Sequence, residues 1–364
     1  MRLKQIELEN FRSAVKEQIS FGDGVNLLYG SNAAGKTNVL EAIYFFARGR
    51  SFRGGRDADL TRFGEKGFSL GIEYEKNTRI ETLGYRYYDG ARQRSHNGVK
   101  IGVKEAIGSF CAVLFCPDHL AIIKRTPAER REFLNVALSQ LSGEYIAVLT
   151  KHKKLLENRN ALLKSEEAFD PSLMESYNEE FAAVNAKLCV MRREYVARLE
   201  ESMMKTVADI SGGREGVKLF YKSDIPAELS RENEIKQRYE RLLSESLTRE
   251  QAAKMTLYGI QRDDLEFFVN EKEARQFASQ GQQRSIALAL KIGEGEILSA
   301  EKGEEPVYLL DDVLGELDEE RKAYILSRTG GRQFIVTACE KSDYDSLIGV
   351  KKIRVEKGRY YEEN

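Results

Sequence analysis

This 364-residue sequence predicts an α/β fold with mixed sheets and an inserted helical lobe, on three observations. Short apolar strands alternate with helical stretches at both chain ends. A loop of small residues joins one such strand, at 25–29, to a helix at 38–48. Between about residues 128 and 248 the strand character fades, and the chain turns rich in Glu, Lys, Arg, Leu and Ala.

In chain order, Ile6 and Leu8 alternate with charged residues, a short strand follows at 19–21, and 25–29 is an apolar run ending at Gly30. After the loop, Val39, Leu40, Ile43, Phe46 and Ala47 share one face of a helix. Alternation returns from 68 to 115: Leu70, Ile72 and Tyr74, then Tyr85, Tyr87 and Tyr88 before a turn at Asp89-Gly90, and a last strand at 113–115.

In the middle, Met174, Tyr177, Phe181, Val184, Leu188, Met191 and Tyr195 recur at alternating spacings of three and four, an a/d seam. A less apolar stripe precedes it: Tyr145, Val148, His152, Leu155, Arg159 and Leu162. Asp170-Pro171 is a natural stop between the two. The pattern fits two packed helices of a globular lobe, and equally a projecting arm. An arm of about 40 helical residues reaches only about 60 Å, which excludes a long coiled coil.

Beyond Leu257 the α/β character resumes, with helical spacing over 280–299, a buried strand at 307–310 ending in Asp311-Asp312, and a helix at 321–327. A second buried strand follows at 334–336, and Ile353 and Val355 fit a closing strand.

An apolar fraction of 41% with 32% charged residues excludes wholesale disorder. Apolar runs such as the six residues at 42–47 fall far short of the roughly 20 that span a bilayer, so no membrane association is expected. Arg2, Lys4, Glu7 and Glu9 interrupt any secretory leader. Four cysteines, without a CxxC pair, suit a reducing cytoplasm. Cys116-Pro117-Asp118-His119 reads as a strand end rather than a metal site. The net charge of −1 means that nucleic-acid binding would need a local basic patch.

Gly30-Ser31-Asn32-Ala33-Ala34-Gly35-Lys36-Thr37 matches GxxxxGK[ST] between a predicted strand and a predicted helix, the setting a phosphate-binding loop (P-loop) requires. Glycines let amide N–H groups converge on phosphates, and the helix N-terminus adds favourable potential. Lys36 would reach the β- and γ-phosphates of ATP, and the Thr37 hydroxyl would hold Mg2+. Asp311, at the end of an apolar strand, is the natural Mg2+ partner, and Asp312 is placed to orient or deprotonate the attacking water. Ser279-Gln280-Gly281-Gln282 opens the helix before that strand. Its hydroxyl and bare amides suit a γ-phosphate, and an ordinary N-cap serine fits as well.

Order and sequence together resemble the RecF family, bacterial recombination mediators grouped with SMC-type heads of the ABC ATPases. The resemblance rests on Asn10-Phe11-Arg12, the loop at 30–38, Leu40-Glu41-Ala42, Ser51-Phe52-Arg53, Pro117-Asp118-His119-Leu120 and Arg130-Arg131-Glu132-Phe133-Leu134. It continues through Asn158-Arg159-Asn160, Arg262-Asp263-Asp264-Leu265, the segment at 279–284 and the segment at 310–317. Three departures stand out. Ala33 replaces a frequent Gly, which requires a negative φ there. Ile260-Gln261 replace an expected Pro-His. Thr337-Ala338 follow the 334–336 strand where a γ-phosphate-sensing histidine could stand, consistent with slow hydrolysis.

The resemblance implies an ABC-type (P-loop) ATPase head built from residues 1–127 and 251–364. A helical lobe with a short antiparallel coiled-coil arm would occupy 128–250. It implies an ATP-dependent homodimer in which Ser279, Gly281 and Gln282 meet the nucleotide of the opposite subunit. Weak DNA-stimulated ATPase activity would accompany binding to single- and double-stranded DNA at gaps and junctions. RecO and RecR would be partners, with RecA loading and SOS induction as outcome. For DNA contact, Arg48, Arg50, Arg53 and Arg56 form one basic run and Lys151, Lys153 and Lys154 another. Both fit solvated helix faces too, and the arginines could instead structure the nucleotide site.

Two other functions share these motifs. An ATPase driving a membrane transporter is opposed by the long helical insertion. The head of an overcoming-lysogeny-type nuclease needs a metal-binding nuclease domain, for which a chain ending at Asn364 leaves no room. A binding-only scaffold is hard to reconcile with Lys36, Thr37, Asp311 and Asp312 all being present.

Overall fold

Strand β1 (Arg2–Glu9) buries Leu3, Ile6 and Leu8, and a bulge between Leu3 and Gln5 breaks its alternation once. That bulge is why the sequence alternates visibly only from Ile6 onward. The computed structural model describes residues 1–165, 170–340 and 349–363. β1 lies in an antiparallel six-stranded sheet, order β2-β1-β4-β5-β6-β7, with β2 (Lys16–Ser20), β4 (Gly67–Lys76), β5 (Arg79–Tyr88), β6 (Ala91–His96) and β7 (Val99–Lys100). The turn at Asp89-Gly90 joins β5 to β6 with φ of +47° and +85°, the left-handed pair a tight hairpin demands. Short helices α2 (Asp57–Leu60) and α3 (Val103–Ala106) lie in the connections.

The second sheet carries the site. Its order is β15-β14-β3-β13-β12-β8, from β3 (Val25–Tyr29), β8 (Ala112–Phe115), β12 (Val307–Leu310), β13 (Phe334–Ala338), β14 (Lys351–Glu356) and β15 (Arg359–Glu363). All neighbours pair parallel except β14 with β15. Parallel strands are covered on both faces, hence the unbroken apolar runs. Leu27, Val336, Leu310 and Phe115 stand in register on one face, packed with Ala287 and Leu288. Leu28, Ile335, Leu309 and Leu114 face the other way, against Leu40 and Ile43 of α1 (Lys36–Arg48) and the antiparallel sheet. Because the strands run parallel, β3, β12 and β13 end at one edge, the usual ligand crevice of such sheets. Strand β8 ends as expected before Cys116, whose N–H donates to His119 Nδ1 at 3.3 Å at the start of α4 (Pro117–Leu120).

The helical lobe is built from α5 (Pro127–Leu141), α6 (Gly143–Lys164), α7 (Pro171–Ser211) and α8 (Glu232–Ala253). Asp170 caps α7 by accepting from the N–H groups of Ser172 and Leu173, with Pro171 at the first helical position. The α7 seam does not stand alone. Phe181, Val184, Leu188 and Tyr195 share one core with Tyr145 and Leu155 of α6, Tyr239 and Leu243 of α8, and Ile286 and Leu290 of α10 (Gln280–Lys302). These helices therefore pack within a lobe rather than project from it. The α6 stripe ends on Leu163 rather than Leu162, since Leu163 is the buried one.

One element of this lobe departs from the helical reading of the middle. Strand β9 (Val217–Lys222) pairs antiparallel with β10 (Asp264–Val269), and β11 (Lys272–Glu273) completes a three-stranded sheet. Val217 and Leu219 point into the lobe core beside Leu265 and Phe267, so residues from beyond 251 help build the lobe. Six residues of period two are easily lost among long helices rich in Glu and Lys. The remaining helices are α9 (Ala274–Phe277) and α11 (Glu319–Ser327). No helix among the described residues is long and apolar enough to cross a membrane.

Candidate functional site

The loop leaves β3 at Gly30, whose φ is +150°, and a Cβ there would sit 2.3 Å from the Val355 carbonyl oxygen. Only glycine fits so close an approach. Gly35, at φ +115°, turns the chain into α1. Between them Ala33 has φ +62°, so the negative φ its side chain calls for is not what the loop adopts. A left-handed residue curls the loop there, at a strain that alanine bears through its Cβ and glycine would not. The loop is braced from the far end of the chain: Gly358 N–H donates to Ala34 O at 2.8 Å and Tyr360 OH to Gly35 O at 3.1 Å. No local pattern in the sequence marks these two residues.

Lys36 begins α1, and its Nζ donates to Gly30 O at 2.7 Å and Ser31 O at 3.2 Å, folding back over the loop. One residue on, Thr37 Oγ1 donates to Asp311 Oδ1 at 2.9 Å. Asp311 follows β12 directly and its N–H bonds Phe115 O at 2.9 Å, which holds it at the sheet edge. Burial pushes the Asp311 carboxyl above the usual carboxylate range, while hydrogen bonds from Thr37 and Thr337 pull the other way. Asp312 sits at φ +51°, a conformation most side chains avoid, with its N–H on Thr337 Oγ1 at 2.8 Å. Residues 274 apart in sequence thus meet at one point. A curled loop of amides, an ammonium folded over it and a hydroxyl–carboxylate pair have the geometry that suits a polyphosphate and its metal ion.

The segment at 279–282 caps α10. Ser279 Oγ accepts from Gln282 N–H at 3.2 Å and Gln282 Oε1 from Ser279 N–H at 2.9 Å, a reciprocal capping box on an exposed corner. Gly281 lies against Arg321, where a Cβ would meet Nη2 at 3.4 Å. Arg321 in turn donates to Ser285 Oγ and pairs with Asp318. This links the first turns of α10 to the segment that follows Asp312. The contacts of Ser279, Gly281 and Gln282 at this corner are with each other and with Arg321.

The basic runs divide. Arg48 and Arg50 both pair with Glu132 of α5, at 2.8 Å for Arg48. Arg53 reaches Asn38 Oδ1 at 3.3 Å and Glu41 at 3.6 Å, beside the loop's helix. Arg56 is exposed ahead of α2. Lys151 pairs with Glu180 at 3.3 Å, and Lys153 and Lys154 are exposed. Three of the four arginines thus take part in ion pairs that organise the surroundings of α1.

Other quoted segments meet in ways that spacing did not reveal. Glu41 is wholly buried and accepts from both Arg12 and Ser51, joining three separated segments under the loop. Arg130 holds Asp264 through two bonds of 2.7 Å, and Arg192 lies 3.7 Å from Asp263. Ile260-Gln261 serve packing: Ile260 O accepts from Arg192 at 2.9 Å, and Gln261 Oε1 lies 3.2 Å from His152 Nε2.

Against known proteins, a RecF of Caldanaerobacter subterraneus subsp. tengcongensis, a DNA replication and repair protein, is 39% identical over 354 residues, covering 95% of this chain and 96% of the relative. The chain belongs to the RecF family. A RecF of Desulfitobacterium hafniense is 34% identical over 99% of both chains. The AAA ATPase domain family matches residues 1–195. Among solved structures, the recombination mediator RecF with ATP, of the RecFOR pathway, superposes with a TM-score of 0.93 at 36% identity, covering 100% of this chain and 98% of that one. An Smc head domain from Pyrococcus furiosus, at 18% identity and a TM-score of 0.57, shares the fold. The RecF assignment thus accounts for the whole chain, and the ABC-type head is its fold.

Proposed function

We propose that this protein is an ATP-switched DNA clamp, a recombination mediator acting at single-stranded gaps and single-strand–duplex junctions. RecO and RecR are its partners, and RecA loading and SOS induction its outcome. One observation carries the reading: Thr37, Asp311 and Asp312 meet at the sheet edge beside Lys36, while Ser279 and Gln282 cap α10 through bonds to each other. Two copies placed head to tail would complete each other. RecF relatives of the RecFOR pathway, one solved with ATP, support the same reading.

In this reading Lys36 exchanges the carbonyls of Gly30 and Ser31 for phosphate oxygens, and the amides of Ser31, Asn32, Ala33 and Ala34 line the phosphates. Thr37 and Asp311 are the residues that would hold Mg2+, which would neutralise developing phosphate charge. Asp312 orients or deprotonates the attacking water. Ser279, Gly281 and Gln282 of a second copy offer the hydroxyl and amides of a helix N-terminus to the γ-phosphate. ATP then closes the dimer, closure assembles the DNA surface, and slow hydrolysis releases it.

The test is binding to a gapped duplex at two salt concentrations, with ATP, with ADP and with neither, for the wild type, Lys36→Met and Asp312→Asn. The clamp requires that ATP tighten binding, that Asp312→Asn prolong the complex and that Lys36→Met abolish the nucleotide effect. Binding indifferent to nucleotide and to both substitutions would refute it.

A further inference from the structure

Thr337 is buried on β13, in register with Leu28 of β3 and one residue beyond Val336, which faces Leu310. Its Oγ1 accepts the Asp312 N–H at 2.8 Å and lies 3.0 Å from Asp311 Oδ1 and 3.3 Å from Asp312 Oδ1. A threonine hydroxyl has one proton, so it donates to one of these carboxylates at a time while accepting from the amide. The oxygen it meets on Asp311 is the one that also receives Thr37 Oγ1, at 2.9 Å. Hydroxyls from α1 and β13 therefore converge on a single carboxylate oxygen.

Asp312 needs such an anchor. At φ +51° it occupies the left-handed region, which aspartate reaches more readily than most residues but still at a cost that local hydrogen bonds offset. With φ set, holding its N–H also sets where its Cβ points, and Thr337 Oγ1 lies within 3.3 Å of the carboxylate itself. We propose that Thr337 is a positioning residue that aims the Asp312 carboxylate and couples it to the Thr37–Asp311 pair. Thr337 does this from the strand end where the sequence shows no histidine. This rests on the reading of Asp312 as the residue that orients the attacking water.

Valine at 337 keeps the shape and the strand preference of threonine but neither donates nor accepts, whereas serine keeps the hydroxyl. The full-length protein is assayed for ATP turnover at saturating DNA and for binding of a fluorescent ATP analogue, as wild type, Thr337→Val, Thr337→Ser and Asp312→Asn. Thr337→Val is expected to lower kcat about tenfold or more, as misplacement of a catalytic group does. Its nucleotide Kd should stay within about threefold of wild type, and Thr337→Ser should keep kcat within about threefold. If Thr337→Val does not fold, Thr337→Ala read against Thr337→Ser makes the same comparison. Wild-type kcat in Thr337→Val alongside a loss in Asp312→Asn overturns the role of Thr337 and leaves Asp312 standing. Equal losses in the valine and serine variants also overturn it, because shape rather than the hydroxyl would then matter. Wild-type kcat in Asp312→Asn removes the role of Asp312 itself, and with it the proposal.

Discussion

Arg12 grips Glu41 through two parallel hydrogen bonds, Nη2 to Oε1 at 2.6 Å and Nε to Oε2 at 2.9 Å, joining the turn after β1 to α1. Glu41 is 0% exposed on α1, so its charge depends on this fork, on Ser51 and on the more distant Arg53. Removing one partner of a buried pair costs more than removing both. Arg12→Ala should therefore lower stability by about 3 kcal/mol, and Arg12→Met with Glu41→Leu should recover much of the loss. Urea denaturation of the three proteins decides it, and equal stability of Arg12→Ala and wild type would show that Ser51 and Arg53 suffice.

The proposed clamp makes a prediction about assembly. Asp312→Asn should slow hydrolysis about a hundredfold while leaving the loop and Ser279 intact. Dimers formed with ATP should then outlast those of the wild type, read as sedimentation after rapid dilution. Ser279→Arg, on the exposed corner, should instead keep ATP binding and lose the dimer. A Ser279→Arg protein that still dimerises with ATP would place the contact elsewhere.

How far the sequence reveals this molecule follows from where its signals are local. Val25–Tyr29, polar only at Asn26, and Val307–Leu310 are legible to the residue because strands covered on both faces are apolar at nearly every position. The loop at 30–37 is legible because Gly30, Gly35, Lys36 and Thr37 fall at fixed spacing within one short stretch. Strand β9 is hidden, since its inward alternation has only three positions, Val217, Leu219 and Tyr221, and exposed Phe220 blurs it. Leu163 replaces Leu162 in the α6 stripe because one residue shifts a helical face by about 100°. The bracing of Ala34 and Gly35 by Gly358 and Tyr360 is a contact across most of the chain and leaves no periodic trace. The grouping of Arg12, Glu41 and Ser51 is visible in the sequence only as three separate short segments, because side chains that meet across the fold leave no local pattern.

Ala33 gives a test of loop strain. Its φ of +62° disfavours alanine by about 1–2 kcal/mol relative to glycine, against a glycine entropy cost of about 0.5–1 kcal/mol. Ala33→Gly should thus be neutral or stabilising by up to about 1.5 kcal/mol, with nucleotide affinity unchanged. The opposite substitution at the loop's start, Gly30→Ala, would drive a methyl to 2.3 Å from Val355 O and should abolish nucleotide binding. Thermal melts with and without ATP separate the two, and a destabilised Ala33→Gly would mean that its methyl is packed rather than strained.

His152 sets an acid limit on the helical lobe. It stacks on Phe181 with ring centroids 5.2 Å apart and bonds Gln261 at 3.2 Å. Burial, aided by the nearby Arg192 charge, pushes its pKa down to about 4, from an ordinary 6.5. The unfolded chain therefore binds this proton first as pH falls. Stability present above pH 6.5 is lost progressively toward pH 4, and the share due to His152 reaches about 2 kcal/mol at pH 5. His152→Gln removes that share. Its urea midpoint should therefore fall less between pH 7.5 and pH 5 than the wild-type midpoint does, whatever the two stabilities are at pH 7.5. Parallel falls in both proteins would assign the acid sensitivity to other groups, first among them His119, which burial also holds well below its usual range.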